Sequence, residues 1–255
     1  MKKNVLMYEM DSFSYRDNIK KGNKTIIIPV GAIEQHGPHM SMNVDVNLSL
    51  SISKGIAEKI NCIVAYPITY AAKSQQRSGG GYHLIGTTSI EGNTLISYVK
   101  DIIKEYIRHG FKNIILINGH FENNSFLMEG IDLALNDTKN SDRKIALLSY
   151  WDFVPEETIN KLYPDGFTGW ALEHAGVMET SLMLYLYPDL VNMKKVLDLP
   201  SADLPLYDIY PIIPKRTPKS GCLSSPKNAS VEKGEILYKV CVDGISKALK
   251  KEYLI

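Results

Sequence analysis

The chain has 255 residues, of which 44% are hydrophobic, so it is long enough to bury a substantial core in one large domain. Lysine and arginine number 29 against 28 aspartate and glutamate, which leaves a net charge of +1 without a dense basic stripe and makes nucleic acid and membrane surfaces poor candidates as partners. The three cysteines form no C-x-x-C pair, the first residues lack the apolar core of a signal peptide, and no window reaches the length of a membrane span, so we expect a soluble, cytoplasmic protein.

The first predicted strand covers residues 25–30 and leads into a loop that is rich in potential metal ligands. Glu34 and His36 are two residues apart, so both side chains point to the same side of an extended segment. Asp45 follows at the start of a predicted helix, residues 44–60, where an acidic side chain is well tolerated. Two oxygen ligands and one nitrogen ligand suit a divalent cation such as zinc or manganese, and a single loop rarely supplies a complete coordination shell. We therefore expect further ligands elsewhere in the chain.

A second short strand is predicted at residues 62–66, and a glycine-rich segment follows at 72–88. Its glycines argue against regular structure and allow the backbone to approach a ligand closely. The segment lies between a strand and a helix, where a crevice is expected. This position favours a substrate-facing loop, with a flexible surface loop as the alternative.

A second pair of potential ligands follows the next predicted strand. An amphipathic helix at 93–109 ends at Gly110 and leads into the strand 113–117. His120 and Glu122 come directly after this strand and repeat the two-residue spacing of the first pair.

Strands and helices alternate along this part of the chain, since a helix at 124–135 and a strand at 144–149 follow the second pair. Such alternation predicts an α/β fold with a mostly parallel central sheet flanked by helices on both faces. Neighbouring strand ends share one crevice in an open parallel sheet, so we expect the two pairs of ligands to meet there. Five ligands exceed a closed tetrahedral zinc site but suit two ions that are bridged by one carboxylate and a water.

Two tryptophans and one more histidine follow the last predicted strand. Trp151 comes first, and Trp170 and His174 precede a helix predicted at 177–186. His174 either belongs to the core or the surface, or faces the metals as a proton donor and acceptor. Glu179 lies at the start of this helix, where it either orients a ligand or His174, or is simply a carboxylate favoured by the helix dipole.

The C-terminal part shows no sign of a second domain. The stretch 199–220 has no clear period and is either an arm that packs on another subunit or an excursion over the surface of a monomer. A closing helix follows Ser230, which can cap it. Its apolar face is predicted to consist of Leu237, Cys241, Gly244 and Ala248. Because the sequence has no internal repeat and no domain-splitting linker, we expect residues 1–255 to form a single domain.

Each potential ligand also has an ordinary structural explanation. A lone histidine is more often a hydrogen-bonded structural residue, and a lone aspartate at a helix start is more often a cap. Together the five are hard to explain by structure alone, since burying that many charges without a cation is costly. We therefore predict a metal site formed by Glu34, His36, Asp45, His120 and Glu122.

Several motifs together resemble those of the creatininase (creatinine amidohydrolase) family. They lie at 31–37, 43–45, 118–123 and 174–181, with further matches at 73–76, 78–81, 129–135, 149–153 and 163–167. The resemblance spans nearly the whole chain. It implies a compact α/β subunit in a homohexamer, with a site for two divalent metal ions that are zinc, manganese or both. It also implies reversible hydrolysis of the cyclic amide of creatinine to creatine by a metal-bridging hydroxide.

The resemblance assigns roles to the five potential ligands. Glu34 and His120 would hold one ion, His36 and Glu122 would hold the other, and Asp45 would bridge them. Glu122 is therefore expected to be needed for metal binding and for activity together.

The resemblance also implies which side chains face the substrate. Trp151 and Trp170 resemble aromatic walls that close over creatinine, and Ser78 resembles a polar contact to the substrate. His174 resembles the catalytic base and acid. Phe121 stands where the family usually has a tyrosine, which removes a hydroxyl near the site.

Two other functions compete with this hypothesis. The first is another amidohydrolase of the same superfamily, acting on a formamide or a peptide-like bond with the same metals. The second is a metal-stabilised binding or scaffolding protein that has kept the site without turnover. The two tryptophans argue against the first, and the intact candidates for nucleophile activation and proton transfer argue against the second.

Overall fold

The computed structural model describes residues 4–138 and 143–253. Within these residues, four strands alternate with helices along the first part of the chain, and helices alone follow. The strands are β1 (Thr25–Val30), β2 (Ile63–Val64), β3 (Asn113–Asn118) and β4 (Lys144–Ser149). The helices are α1 (Ser12–Lys20), α2 (Val44–Lys59), α3 (Gln76–Gly79), α4 (Gly92–His109), α5 (Asn123–Thr138), α6 (Glu156–Leu162), α7 (Val177–Leu186) and α8 (Val231–Tyr253). Short 3-10 helices cover Met7–Glu9, Tyr150–Phe153, Trp170–Leu172, Pro188–Leu190, Met193–Lys195 and Pro214–Arg216.

The four strands form one parallel sheet in the order β2-β1-β3-β4. β1 and β3 are paired along their whole length, so that Val30 at the end of β1 lies beside Asn118 at the end of β3. The loops that follow these two strands therefore start at the same edge of the sheet. The predicted α/β fold with a parallel central sheet is confirmed.

Side chains along β1 and β3 alternate between the two faces of the sheet, and helices cover both faces. On one face, Ile27 and Ile115 pack in a core with residues of α2, α7 and α8. On the other face, Ile26 and Ile114 pack with residues of α1, α4 and α5. Burying one such side chain contributes about 1.5–3 kcal/mol. Because both faces are covered, the strands are continuous apolar runs.

Two predicted segments differ from the observed elements. The strand predicted at 62–66 is only Ile63–Val64, because β2 is an edge strand that pairs with β1 at these two positions alone. The glycine-rich segment 72–88, predicted to be irregular, contains the short helix α3. Gly80 ends this helix with a φ of 79°, a conformation that favours glycine.

The apolar face of the closing helix also departs from expectation. The buried face of α8 runs through Ile245 and Leu249 instead of Gly244 and Ala248, since the larger side chains bury more apolar area. Within the stretch 199–220, Asp208, Ile213 and Thr217 contact α3 of the same chain, as one of the two alternatives for this stretch requires. No helix within residues 4–138 and 143–253 combines the length and the apolar character needed to cross a bilayer.

Candidate metal centre

The loops after β1 and β3 meet the first turn of α2 at one edge of the sheet. The Asn123 side chain ties them together, because its Nδ2 donates to Gly31 O at 3.1 Å and to Asn118 Oδ1 at 3.2 Å. Its Oδ1 accepts from the Ala72 N–H at 3.0 Å, which adds the segment before α3. This buried amide has no signal in the sequence beyond its place after the second ligand pair. It fixes the backbone that carries the potential ligands.

Asp45 lies at the centre of a buried cluster of carboxylates and imidazoles. Its Oδ1 is 3.0 Å from His36 Nε2, and its Oδ2 is 3.2 Å from His120 Nδ1. The same His120 nitrogen is 3.0 Å from Glu34 Oε2. All four side chains are buried. The structure thus brings together four of the five predicted ligands.

Among the described residues, the cluster contains three groups of three potential ligands, of which two share Asp45 and the third consists of Glu34, His36 and His174. Potential ligand atoms of Glu34, Asp45 and His120 all lie within 4.8 Å of one another, and so do those of His36, Asp45 and Glu179. Glu179 Oε2 is 3.5 Å from His36 Nε2 and also accepts from a backbone N–H on the loop before α7. Sequence reasoning gave Glu179 only an orienting role, yet the geometry places it beside His36.

Glu122 lies on the other side of the His120 ring. Its Oε2 is 3.3 Å from His120 Nε2, whereas His120 Nδ1 faces the cluster. Its Oε1 accepts from the Gln75 N–H at 2.7 Å and from the Ser78 hydroxyl at 2.6 Å. Among the described residues, no group of three potential ligands whose atoms lie within 4.8 Å of one another contains both Glu122 and His36. Side chains two residues apart point to the same side only in an extended chain. At His120 and Glu122, β3 has already ended and the chain turns into α5. The role of Glu122 as a ligand stays a prediction.

The charges of the cluster fit divalent cations. Burial raises the pKa of Glu34 to about 7, against the opposing charge of His120. Burial also acts against the charged form of His36, but the nearby carboxylates hold its pKa well above the usual value. Glu34 Oε1, His36 Nε2 and Asp45 Oδ2 are buried, and within the described part of the chain none of them forms a hydrogen bond of good geometry, although the last two have the short ion-pair contacts given above. Buried carboxylate oxygens and imidazole nitrogens of this kind are suitable ligands for zinc or manganese.

His174 faces the cluster from the loop before α7. Its ring centroid is 4.4 Å from that of His36, and its Nδ1 is 4.0 Å from Glu34 Oε2. Its Nε2 lies 2.9 Å from the backbone oxygen of Gln35 and 3.0 Å from the Gln35 side-chain nitrogen. Burial and then the charge of His36 lower its pKa well below the usual value, so the imidazole is neutral. Gln35 was missed by sequence reasoning, although it stands between the first two ligands.

A cavity of about 1100 Å³ opens from the cluster to the surface. Its lining includes each side chain that was predicted to face a substrate, namely Ser78, Phe121, Trp151 and Trp170. Trp170 is 40% exposed and Phe121 is 64% exposed, which places both rings near the mouth. The cavity thus runs from an aromatic entrance to the buried carboxylates and imidazoles.

Gly119 allows α2 to approach β3 closely enough for Asp45 to reach the cluster. A Cβ at this position would lie 2.6 Å from Asp45 O and 3.1 Å from Ser49 Cβ. We expect Gly119→Ala to displace the start of α2, lower metal affinity, and destabilise the protein by about 1–3 kcal/mol, as overpacking does. Gly244→Ala is the control, since a Cβ there meets Phe153 at an ordinary 3.4 Å. Thermal unfolding and metal titration of both variants test this, and unchanged metal affinity in Gly119→Ala would contradict it.

Known proteins resemble this chain over most of its length. The creatinine amidohydrolase of Pseudomonas putida is 50% identical over 257 residues, with 99% of each chain covered. A mycofactocin precursor peptide peptidase of Mycolicibacterium smegmatis is 25% identical over 236 residues, which cover 89% of this chain and 84% of that protein.

Solved structures of creatininase superpose closely on the fold. A variant described as the Zn-Zn type has a TM-score of 0.96 at 50% identity, covering 98% of each chain. The Mn form has a TM-score of 0.95 at 50% identity, and a variant complexed with creatine has 0.95 at 49% identity. Each of these two matches covers 98% of this chain and 99% of the other. The family model for creatinine amidohydrolase matches residues 9–249. The chain therefore belongs to the creatinine amidohydrolase family.

Proposed function

We propose that this chain is a metal-dependent cyclic amide hydrolase that converts creatinine and water to creatine, reversibly. The observation that carries the proposal is the buried cluster around Asp45 at the end of a cavity with aromatic side chains at its mouth. The 50% identity to a creatinine amidohydrolase over nearly the whole chain supports the substrate. The creatine complex of a similar creatininase supports a small-molecule ligand of the same class.

We propose that two groups of side chains hold the two ions. Glu34, Asp45 and His120 would hold one ion, and His36, Asp45 and Glu179 would hold the other. When bound, such ions supply an activated water and polarise the amide carbonyl. This assignment gives Glu179 the place that the sequence motif gave to Glu122. Glu122 would then orient the His120 ring and fix Ser78 at the cavity wall through its two carboxylate oxygens.

The remaining steps fall to side chains around the cavity. His174 is neutral and faces the cluster, so it can take a proton and pass it to the leaving ring nitrogen. Trp151 and Trp170 present flat, apolar surfaces that would stack on the planar ring of creatinine and exclude bulk water. Phe121 adds apolar surface at the mouth without a hydroxyl.

We further propose that the protein is a cytoplasmic homohexamer, as the resemblance implies. The three cysteines are buried and form no disulfide with one another, which is usual in a reducing compartment. Light scattering of the purified protein tests the assembly, and the expected particle contains six subunits of 28.6 kDa. A monomeric particle would contradict it.

Chelation of the metals should abolish creatinine hydrolysis. We expect purified protein to open creatinine, to lose this activity after treatment with a chelator, and to regain it with zinc or manganese, because the activated water requires the ions. Creatine formation is the measurement. A formamide and a short peptide are assayed in parallel, since a peptidase is among the relatives. Full activity in metal-free protein would refute the metal dependence, and turnover of the formamide or the peptide alone would favour the competing amidohydrolase.

A further inference from the structure

Tyr150 is a buried phenol that lines the cavity, and its hydroxyl has no hydrogen-bond partner among residues 4–138 and 143–253. It opens the 3-10 helix Tyr150–Phe153 directly after β4, and its side chain is only 4% exposed. Its residue lines the cavity beside Asp45, Glu179 and His174. No described residue forms a hydrogen bond with its hydroxyl. This oxygen is also not among the fully buried polar atoms that lack a partner, so part of its surface is accessible. Buried tyrosine hydroxyls usually have a partner, so this one requires an explanation.

The ring of Tyr150 is held firmly by its neighbours. It packs edge-on against Trp151, with ring centroids 5.1 Å apart and an interplanar angle of 75°. It also belongs to the core on the face of the sheet covered by α2, α7 and α8. Burial and then the charges of Glu179 and Asp45 raise the pKa of the phenol well above its usual value, so the hydroxyl keeps its proton. A fixed, protonated hydroxyl at this place is a hydrogen-bond donor.

One other hydroxyl in the cavity lining is already engaged as a donor, because the Ser78 hydroxyl donates to Glu122 Oε1 at 2.6 Å. Carboxylates of the cluster accept hydrogen bonds and donate none. Amide hydrolysis, however, places growing negative charge on the carbonyl oxygen, and donors aimed at that oxygen stabilise the transition state.

We propose that the Tyr150 hydroxyl donates a hydrogen bond to the reacting carbonyl oxygen of the cyclic amide as that oxygen gains negative charge. This inference rests on the proposed function and adds a catalytic residue to it. No bond to Tyr150 forms or breaks, and its proton stays on the phenol. The contact is made most strongly in the transition state, so its loss should lower kcat much more than it changes KM.

The test compares Tyr150→Phe with wild-type protein in its metal-loaded form. We expect kcat for creatinine to fall roughly 100- to 1000-fold, as on removal of one such donor, while KM changes less than about threefold. Since an enzyme cannot shift an equilibrium, kcat/KM for ring closure of creatine should fall by the same factor. Tyr187→Phe is the matched control. It removes a tyrosine hydroxyl that lies outside the cavity lining and forms a 2.7 Å hydrogen bond with the Ser51 hydroxyl, so kcat should be unchanged.

Metal content and thermal unfolding of Tyr150→Phe show whether the variant is intact. A kcat within threefold of wild type, or a change confined to KM, would overturn the inference. Failure of the wild-type protein itself to open creatinine would overturn the proposed function instead. If Tyr150→Phe does not fold, 3,5-difluorotyrosine at this position keeps the ring and the hydroxyl but acidifies the phenol. A kcat that changes while KM and metal content stay constant supports the role, and an unchanged kcat overturns it.

Discussion

Asp45→Asn is expected to remove both metal ions and nearly all activity. Asp45 is the side chain common to the two ligand groups, with Oδ1 beside His36 and Oδ2 beside His120. An asparagine has one oxygen and one NH2 group in this place and carries no negative charge, so it cannot offer an anionic oxygen to each side. We expect kcat to fall by at least about a thousandfold, since bound ions lower the pKa of water from about 15.7 to about 7.

Elemental analysis of the purified variant, alongside creatine formation, is the measurement. Asp132→Asn makes the same chemical change at an exposed position of α5 and should keep both ions and full activity. Glu179→Gln should remove one ion rather than two, because Glu179 belongs to a single group. Two ions per subunit in Asp45→Asn would show that the groups do not share this carboxylate.

The architecture follows from the sequence because its strands are buried on both faces. The apolar runs at 25–30 and 113–117 alternate with amphipathic helices. Few folds other than a parallel sheet covered by helices are compatible with this alternation. The strand 144–149 and the helix 177–186 coincide with β4 and α7. β2 was predicted too long because the length of an edge strand depends on how far it pairs with the neighbouring strand. The β-propensity of its residues does not describe this pairing.

The candidate site was predictable where potential ligands follow strands and less so elsewhere. The end of β1 lies beside the end of β3, so the loops carrying Glu34, His36 and His120 converge as expected. Glu122 was predicted from a spacing rule for extended chains, and its role as a ligand stays a prediction because the chain turns after β3. Glu179 comes from α7, far along the sequence, and only tertiary packing brings it beside His36.

His174→Ala is expected to keep both ions and to slow turnover by roughly 100- to 10,000-fold, within the usual contribution of a general acid and base. The imidazole is buried, neutral and 4.0 Å from Glu34, and its Nε2 lies against Gln35. An alanine removes the group that would carry a proton to the ring nitrogen. It leaves in place the two ligand groups around Asp45.

This variant also separates two roles that the geometry allows for His174. Its nitrogen lies within 4.8 Å of potential ligand atoms of Glu34 and His36, so a ligand role would make His174→Ala lose metal together with activity. A proton-transfer role predicts full metal content with a low kcat, and partial recovery when imidazole is added. His109→Ala, which removes a histidine on α4 that bonds Tyr15, is the control and should behave as wild type. A kcat within a few-fold of wild type with both ions bound would exclude proton transfer by His174, because the variant lacks the imidazole and is otherwise identical to the wild-type protein.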